Sequence, residues 1–293
     1  MKSFSKLSQA FVFGIAIALI TFGVVLAQED VHWSYEGDTG PEHWGTLSPD
    51  FATCAKGVEQ SPVDIPPTAA LNPADITFSY RPGAVTIFNN GHTIQVNYDP
   101  GSSLTLNGVK YDLVQFHFHA ASEHAIGGQH EPMEIHFVHR NAQGGLAVVG
   151  VLLKSGSENA AYAPIFQNLP PQASQPAPVA GASVDANQLL PAQRTYWRYN
   201  GSLTTPPCTE GVKWLVMNTP VEVSDAQIAA FTSIFKNNER PMQPFNARAF
   251  LVPMTLPRTG DTVPMLDGAL ISAGVLMLVA GFVLAYVNRR NAA

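Results

Sequence analysis

The sequence predicts a mainly β (α+β) fold, with a single domain around a large, mostly antiparallel twisted central sheet and a few short peripheral helices. Short runs of alternating or β-branched residues dominate the chain, and turn signals such as Asn89-Asn90-Gly91 separate them. Helical patterns are few, the best being Ser224–Lys236 with Ser224 as a candidate N-cap. The predicted strands are Ile76–Tyr80, Val85–Asn89, Thr93–Tyr98, Ser103–Leu106, Leu113–His119, Met133–His139, Ala147–Leu153 and Lys213–Met217.

The first 27 residues have the pattern of a secretory signal peptide. Lys2 and Lys6 supply a positive start, Phe11–Leu26 is apolar and uncharged, and Ala27 offers a small-residue cleavage site. Polar residues follow at once, which favours cleavage; the alternative is an uncleaved membrane anchor. We therefore expect an exported chain whose folded domain occupies residues 28–255.

The C-terminal segment, residues 256–293, resembles the sorting signal by which sortases fix proteins to bacterial cell walls. The pentapeptide Leu256-Pro257-Arg258-Thr259-Gly260 precedes an apolar stretch, for which we expect a transmembrane helix at about 265–287, and Arg289-Arg290 begins a basic tail. The resemblance implies that sortase cuts after Thr259 and joins it to the wall. The alternative is a simple membrane anchor. Both readings place the domain at the extracellular face of the cell envelope.

Charge and cysteine usage narrow the function further. The chain has a net charge of −6 and no basic cluster, which argues against a nucleic-acid partner. Its two cysteines, Cys54 and Cys208, both lie in the exported part, where an even pair predicts a disulfide. Pro170–Gly181 is rich in Pro, Ala, Ser and Gln, and we expect a surface loop there because the motifs below lie on both sides of it. The oligomeric state stays open.

Histidines on two predicted strands carry the sharpest signal. In a strand, residues two apart point to the same face, so His117 and His119 project together. Two imidazoles cannot complete a catalytic metal site, but a third from a neighbouring strand can, and His136 offers it. His139 lies an odd number of residues from His136 and therefore faces the other side of its strand.

Ordered motifs along the chain resemble those of the α-class carbonic anhydrases, from about His32 to Val252. So many segments in the family order make a chance match negligible. The segments are Gly40-Pro41-Glu42-His43-Trp44, Gln60-Ser61-Pro62-Val63-Asp64-Ile65, Asn89-Asn90-Gly91-His92, Gln115-Phe116-His117-Phe118-His119, Ser122-Glu123-His124, Met133-Glu134-Ile135-His136-Phe137-Val138-His139, Ser202-Leu203-Thr204-Thr205-Pro206-Pro207-Cys208 and Arg240-Pro241-Met242-Gln243-Pro244.

The resemblance implies one zinc ion per chain, with His117, His119 and His136 as its ligands. It also implies that Gln115 orients His117 and that Glu134 orients His136, each by accepting a hydrogen bond from the ring. A backbone carbonyl at Ala247 is expected to orient His119 in the same way.

The resemblance further implies the reaction, the reversible hydration of carbon dioxide to bicarbonate and a proton. Zinc-bound hydroxide attacks carbon dioxide, Thr204 and Glu123 orient it, and His92 shuttles the proton to solvent. Tyr35 is expected to help order the water chain. The apolar wall for carbon dioxide is expected from Val138, Val148, Leu203, Val212 and Trp214.

Two other functions compete with this interpretation. A non-catalytic cell-surface binding module on the same scaffold would suit wall attachment, although such relatives typically lack a zinc histidine. A cupin-type metal oxygenase fits the spacing from His117 through His119 to Glu123, but Tyr111 stands where its glycine is expected, and its second motif is missing.

Overall fold

The computed structural model describes residues 31–72 and 75–251. The predicted signal peptide at 1–27 and the sorting signal at 256–293 lie outside the described residues, and so do the last residues of the predicted domain. Among the helices in the described part, none is both long and apolar enough to cross a membrane.

Strands outnumber helices in the described ranges. The α-helices are short: α1 (Trp44–Leu47), α2 (Thr53–Lys56), α3 (Ala163–Phe166) and α4 (Asp225–Thr232). The strands are β1 (Asp64–Ile65), β2 (Thr77–Ser79), β3 (Gly83–Asn89), β4 (Ile94–Asn97), β5 (Ser103–Leu106), β6 (Val109–His119), β7 (Ala125–Ile126), β8 (Met133–Arg140), β9 (Leu146–Ser155), β10 (Ala177–Val184), β11 (Tyr196–Ser202), β12 (Glu210–Met217) and β13 (Val221–Val223).

One sheet of eleven strands forms the body of the described domain. Its main path runs β10-β3-β4-β6-β8-β9-β12-β11, while β5 also pairs with β6 and carries β2 at its other side. All pairs are antiparallel except those that β9 makes with β12 and β13. The predicted mainly β fold with a mostly antiparallel central sheet and few short helices is confirmed.

Several elements differ from the sequence expectation. Residues 177–184, the first five of which fell in the expected surface loop, form edge strand β10 against β3. This strand is largely exposed, so its Pro, Ala, Ser and Gly residues need no apolar alternation. Strand β11 was not predicted. Helix α4 has Ser224 as its N-cap, in a capping box with Gln227, but it ends at Thr232, four residues early.

The two faces of the sheet have different neighbours. The side chains of Phe116, Phe118 and Phe137 are fully buried in the larger apolar core on one face. On the other face, β6 and β8 pair His117 opposite His136 and His119 opposite Glu134. Since directly opposed residues point to the same side, this register gathers the histidines on one face.

A disulfide joins Cys54 in α2 to Cys208, with Cα atoms 5.0 Å apart and a sequence separation of 154. The predicted disulfide is confirmed. It packs with Trp44 in a small apolar cluster beside the loop that carries Thr204. Such a bridge is typical of proteins that fold in an oxidising compartment.

Candidate metal centre

Three imidazoles converge on the open face of β6 and β8. One ring nitrogen from each of His117, His119 and His136 lies within 4.8 Å of the other two. The ring centroid of His117 lies 5.1 Å from that of His119 and 5.3 Å from that of His136. His119 and His136 are buried, whereas His117 is partly exposed. The centre is therefore closed on its inner side and reachable from one side.

The remaining nitrogen of each ring is held by an acceptor. His117 Nδ1 donates to Gln115 Oε1 at 2.9 Å, and His136 Nε2 lies 2.9 Å from Glu134 Oε1. Because these acceptors fix the proton on one nitrogen, Nε2 of His117 and Nδ1 of His136 are left to face the centre.

His119 is oriented by a residue that the sequence analysis missed. Its Nδ1 donates to the backbone carbonyl of Asn238 at 2.7 Å, so the expectation of a carbonyl from Ala247 is wrong. The Asn238 side chain also accepts from the backbone N–H of Ala120 and donates to the carbonyl of Phe118, which fixes it beside β6. Asn238 stands two residues before the Arg240-Pro241 motif, but that motif was not used to locate the carbonyl.

The donor set fits a divalent metal ion. His119 Nε2 is buried without a hydrogen-bond partner in the described part, as expected for an atom that awaits a ligand. Burial lowers the pKa of all three imidazoles, that of His119 to about 4, so the rings are neutral at pH 7 as metal binding requires. Three imidazoles would hold such an ion and leave it able to bind a reactant, as catalytic zinc sites require.

Glu134 serves two histidines at once. Its Oε1 accepts from His124 Nδ1 at 2.8 Å as well as from His136. Burial alone would raise the pKa of this carboxyl, but His124 and His136 outweigh burial and hold the pKa well below its usual range. Gly150 of β9 pairs with His136 of β8, and a Cβ atom on Gly150 would lie 2.6 Å from Glu134 Oε1. Gly150 thus leaves room for the carboxylate.

Glu123 and Thr204 lie beside the ligands. Glu123 is fully buried, with Oε2 3.8 Å from His136 Nδ1 and Oε1 accepting from the backbone N–H of Arg240 at 2.8 Å. Burial raises the pKa of Glu123 to about 7, while His136, the Arg240 N–H and the Thr204 hydroxyl lower it. A nearby divalent cation favours the carboxylate further.

Arg240 connects this carboxylate to distant parts of the chain. Its guanidinium donates to the carbonyl oxygens of Ser61 and Cys54 and to the side chain of Gln60, at 2.8 to 3.0 Å. The residue is almost completely buried. Arg240 thus fixes Glu123 relative to the disulfide-bearing segment.

The predicted apolar wall lies together in the smaller core, on the same face as the histidines. Trp214 is fully buried and packs 4.8 Å from the His136 ring, centroid to centroid. Val148 pairs with Val138 on β8 and with Trp214 on β12, so these three residues are neighbours. The members of this cluster that the sequence analysis named are Val138, Val148, Leu203, Val212 and Trp214.

His92 lies at the turn before β4, and its ring stacks on Trp33 with centroids 3.6 Å apart and planes 7° from parallel. Burial, and then His32, lower the pKa of His92. Trp33 was not singled out from the sequence. Tyr35 Oη is buried and has no hydrogen-bond partner among the described residues, and burial followed by Glu123 and Glu239 raises its pKa.

Two further buried histidines have both ring nitrogens engaged. His124 bonds Glu134 through Nδ1 and the Tyr199 hydroxyl through Nε2 at 2.7 Å. His139, on the opposite face as expected, bonds the Ala147 carbonyl and the Tyr80 hydroxyl. Neither ring has a nitrogen to spare for a metal.

Comparison with known proteins agrees with this geometry. The sequence model of the eukaryotic-type carbonic anhydrase family matches residues 39–252. The chain is 44% identical to a carbonic anhydrase of Klebsiella pneumoniae over 75% of its own length and 90% of the relative's, and 45% identical to one of Nostoc sp. over 74% and 84%. A solved structure of the α-carbonic anhydrase of Thermovibrio ammonificans with the inhibitor sulfanilamide is also similar. It matches with a TM-score of 0.73 and 42% identity over 76% of this chain and all of that one.

These matches remove the cupin interpretation and do not favour the non-catalytic one, because the named relatives are carbonic anhydrases and all three histidines are present here. The chain belongs to the α-class carbonic anhydrase family, and it is an enzyme that hydrates carbon dioxide to bicarbonate and a proton.

Proposed function

We propose that this chain hydrates carbon dioxide with one zinc ion held by His117, His119 and His136. The convergence of three ring nitrogens, each on an imidazole whose other nitrogen is fixed by an acceptor, carries the proposal. Neutral imidazoles suit zinc, and they leave its charge uncompensated. Bound zinc supplies a hydroxide nucleophile near neutral pH, the effect for which carbonic anhydrases are the standard example.

Thr204 and Glu123 position the nucleophile. Thr204 donates its hydroxyl proton to Glu123, so the Thr204 oxygen keeps its lone pairs for an incoming O–H group. Glu123 is itself held by the Arg240 N–H, which prevents the pair from rotating away. A nucleophile held by Thr204 thus meets carbon dioxide in one orientation, and orientation is a large part of catalysis.

The substrate binds against an apolar wall, which is formed by Val138, Val148, Leu203, Val212 and Trp214. Carbon dioxide has no charge, so an apolar wall beside the polar centre binds it without competition from water. The product proton then has to leave. His92 accepts it at the entrance of the site, with Tyr35 ordering water on the inner side.

Metal analysis with hydration kinetics tests this function. We expect about one zinc per chain in the purified protein and rapid hydration in a pH-indicator stopped-flow assay. Chelation should abolish both, and added zinc should restore both. Full zinc occupancy without acceleration of hydration would refute the proposal.

We also propose that residues 1–27 direct export and that residues 256–293 fix the domain to the envelope as a sortase substrate joined to the wall at Thr259. The formed disulfide supports an oxidising location. Mass spectrometry of the envelope-bound protein should find a chain that begins near Gln28 and ends at Thr259. An intact C-terminus in the membrane fraction would instead identify a simple membrane anchor.

A further inference from the structure

A cavity lies beside Glu239 and Pro241, the neighbours of the Arg240 whose N–H binds Glu123. It has a volume of about 700 Å³, and none of the three proposed zinc ligands lines it. Its wall includes Tyr35, His43, Asn237 and Glu239, together with the acidic residues Glu36, Asp38 and Glu42. The cavity is open to solvent at the side of these exposed acids.

Two buried oxygen atoms of cavity-lining residues lack partners in the part of the chain that the structure describes. They are Tyr35 Oη and Glu239 Oε2. Buried polar atoms are normally bonded to protein or to ordered water. This cavity has the volume and the polar groups to hold several waters, so water is the natural partner of both oxygens.

Both groups are electrostatically coupled to Glu123. Burial raises the pKa of both groups most, and the Glu123 carboxylate raises both further. Glu239 is also connected to Glu123 through the backbone, because it precedes Arg240, whose N–H donates to Glu123. Glu239 therefore lines the cavity and is the neighbour in sequence of the residue that holds the Glu123 carboxylate.

Glu239 is half-buried, and the groups that face it are Tyr35, Glu123, His130 and the backbone N–H groups of Ala121 and of Glu239 itself. Burial and then Glu123 raise the pKa of its carboxyl, while the two N–H groups and His130 lower it. The net shift is upward. A carboxylate whose pKa lies closer to neutrality is a better proton acceptor than an exposed one.

We propose that Glu239 is a second proton exit, which takes up the proton released by hydration and passes it through this cavity to solvent in parallel with His92. The proposal rests on the proposed function. The proton moves along water to the Glu239 carboxylate, which becomes a carboxylic acid. It then leaves to water or buffer in the cavity and restores the carboxylate, without any transfer of electrons.

His92 uses a different opening. It lines a separate cavity of about 290 Å³, which shares only Tyr35, Glu36 and Asn237 with the first. Since the two cavities have these residues as a common wall, Tyr35 stands where the routes divide. Removal of one route should therefore leave the other working.

Steady-state kinetics and ¹⁸O exchange in low buffer test the second exit, in a His92→Ala background. We expect His92→Ala/Glu239→Gln to have a kcat and a proton-transfer rate at least about threefold below those of His92→Ala, with kcat/KM within about twofold. Glu239→Asp should restore the rate. His92→Ala/Glu42→Gln is the matched control, because Glu42 is an exposed carboxylate that lines the same cavity, and it should match His92→Ala.

Zinc content and thermal unfolding must agree among the variants being compared. The metal-free protein gives an independent readout: an infrared band of a protonated carboxyl that titrates above the usual glutamate range and is missing in Glu239→Gln. Equal kcat for His92→Ala and His92→Ala/Glu239→Gln, or no such band, would overturn the second exit alone. A wild-type protein without zinc or without hydration would overturn the proposed function and this inference with it.

Discussion

His136 and His139 lie three residues apart on β8, yet their rings face opposite sides of the sheet and have different surroundings. On the open face, His136 has one nitrogen held by Glu134, and the other faces two further imidazoles. On the closed face, His139 has its Nδ1 bonded to the Ala147 carbonyl and its Nε2 to the Tyr80 hydroxyl. A carbonyl can only accept, so Nδ1 carries the proton and Nε2 accepts from Tyr80.

The difference shows what separates a proposed ligand from a structural histidine in this fold. Burial does not separate them, because both residues are almost completely buried. Residue type and strand do not separate them either, because both are histidines of β8. The distinguishing property is a spare ring nitrogen held in a fixed direction, and the predictions below test it from the largest expected effect to the smallest.

Removal of one ring with a spare nitrogen should abolish the centre. We expect His117→Ala to lose stoichiometric zinc and at least about a thousandfold in kcat/KM, because two imidazoles do not complete the site. Inductively coupled plasma analysis and stopped-flow hydration measure the two effects. His139→Gln, on the same sheet but the closed face, is the control and should keep its zinc. A His117→Ala protein with full zinc would contradict the comparison.

Loss of the orienting hydroxyl should separate metal binding from catalysis. Thr204→Ala leaves every imidazole in place, so zinc content should stay near one per chain while kcat/KM falls about a hundredfold. Thr205→Ala, at the next residue, serves as the control and should change kcat/KM far less. If Thr204→Ala kept wild-type kinetics, spare nitrogens and zinc alone would be enough for turnover.

The residue that orients a ring through its other nitrogen should affect zinc binding less than the ring itself does. Gln115→Ala frees the His117 ring to rotate, and we expect zinc affinity to fall about 10- to 100-fold in a chelator competition assay. Gln95 pairs with His117 across the sheet but donates to Asn97, so Gln95→Ala is the matched control. Equal affinities for the two variants would remove the orienting role.

His139 should affect only stability, in a pH-dependent way. Burial lowers its pKa to about 4 in the folded state, below the ordinary value of 6.5, so the unfolded chain binds the proton more readily. The stabilisation is complete above pH 6.5 and is lost as the pH falls towards 4. Between pH 7 and pH 5 this loss is about 2 kcal/mol.

Urea unfolding of the metal-free proteins at both pH values measures it. The stability difference between wild type and His139→Gln should shrink by that amount at the lower pH. A difference independent of pH would mean that His139 also takes up a proton in the folded protein.

The sequence predicted those parts of the site whose side chains follow a strand period. His117, His119 and His136 fall on one face because alternation fixes which way a strand residue points. The orienting group of His119 was wrongly placed at Ala247, because the actual group is the backbone carbonyl of Asn238. Every residue has a carbonyl, so side-chain patterns do not reveal which one bends towards a ring.

Edges and distant contacts were the other source of error. Strand β10 escaped prediction because an exposed edge strand made of Pro, Ala, Gly, Ser and Val carries no alternating burial. The cavity at Glu239 is built from residues 35–43 and 237–241, which meet only after folding, so no local pattern announces it. The stacking of His92 on Trp33 has the same origin.

Arg240 binds residues that are synthesised long before it. Its backbone N–H and guanidinium bind Glu123, Cys54, Gln60 and Ser61, which precede it by 117 to 186 residues. A growing chain that has not yet reached this arginine already carries every imidazole, but it lacks the N–H group that binds Glu123. We therefore expect a chain that is truncated before Arg240 to hydrate carbon dioxide far more slowly than the full chain.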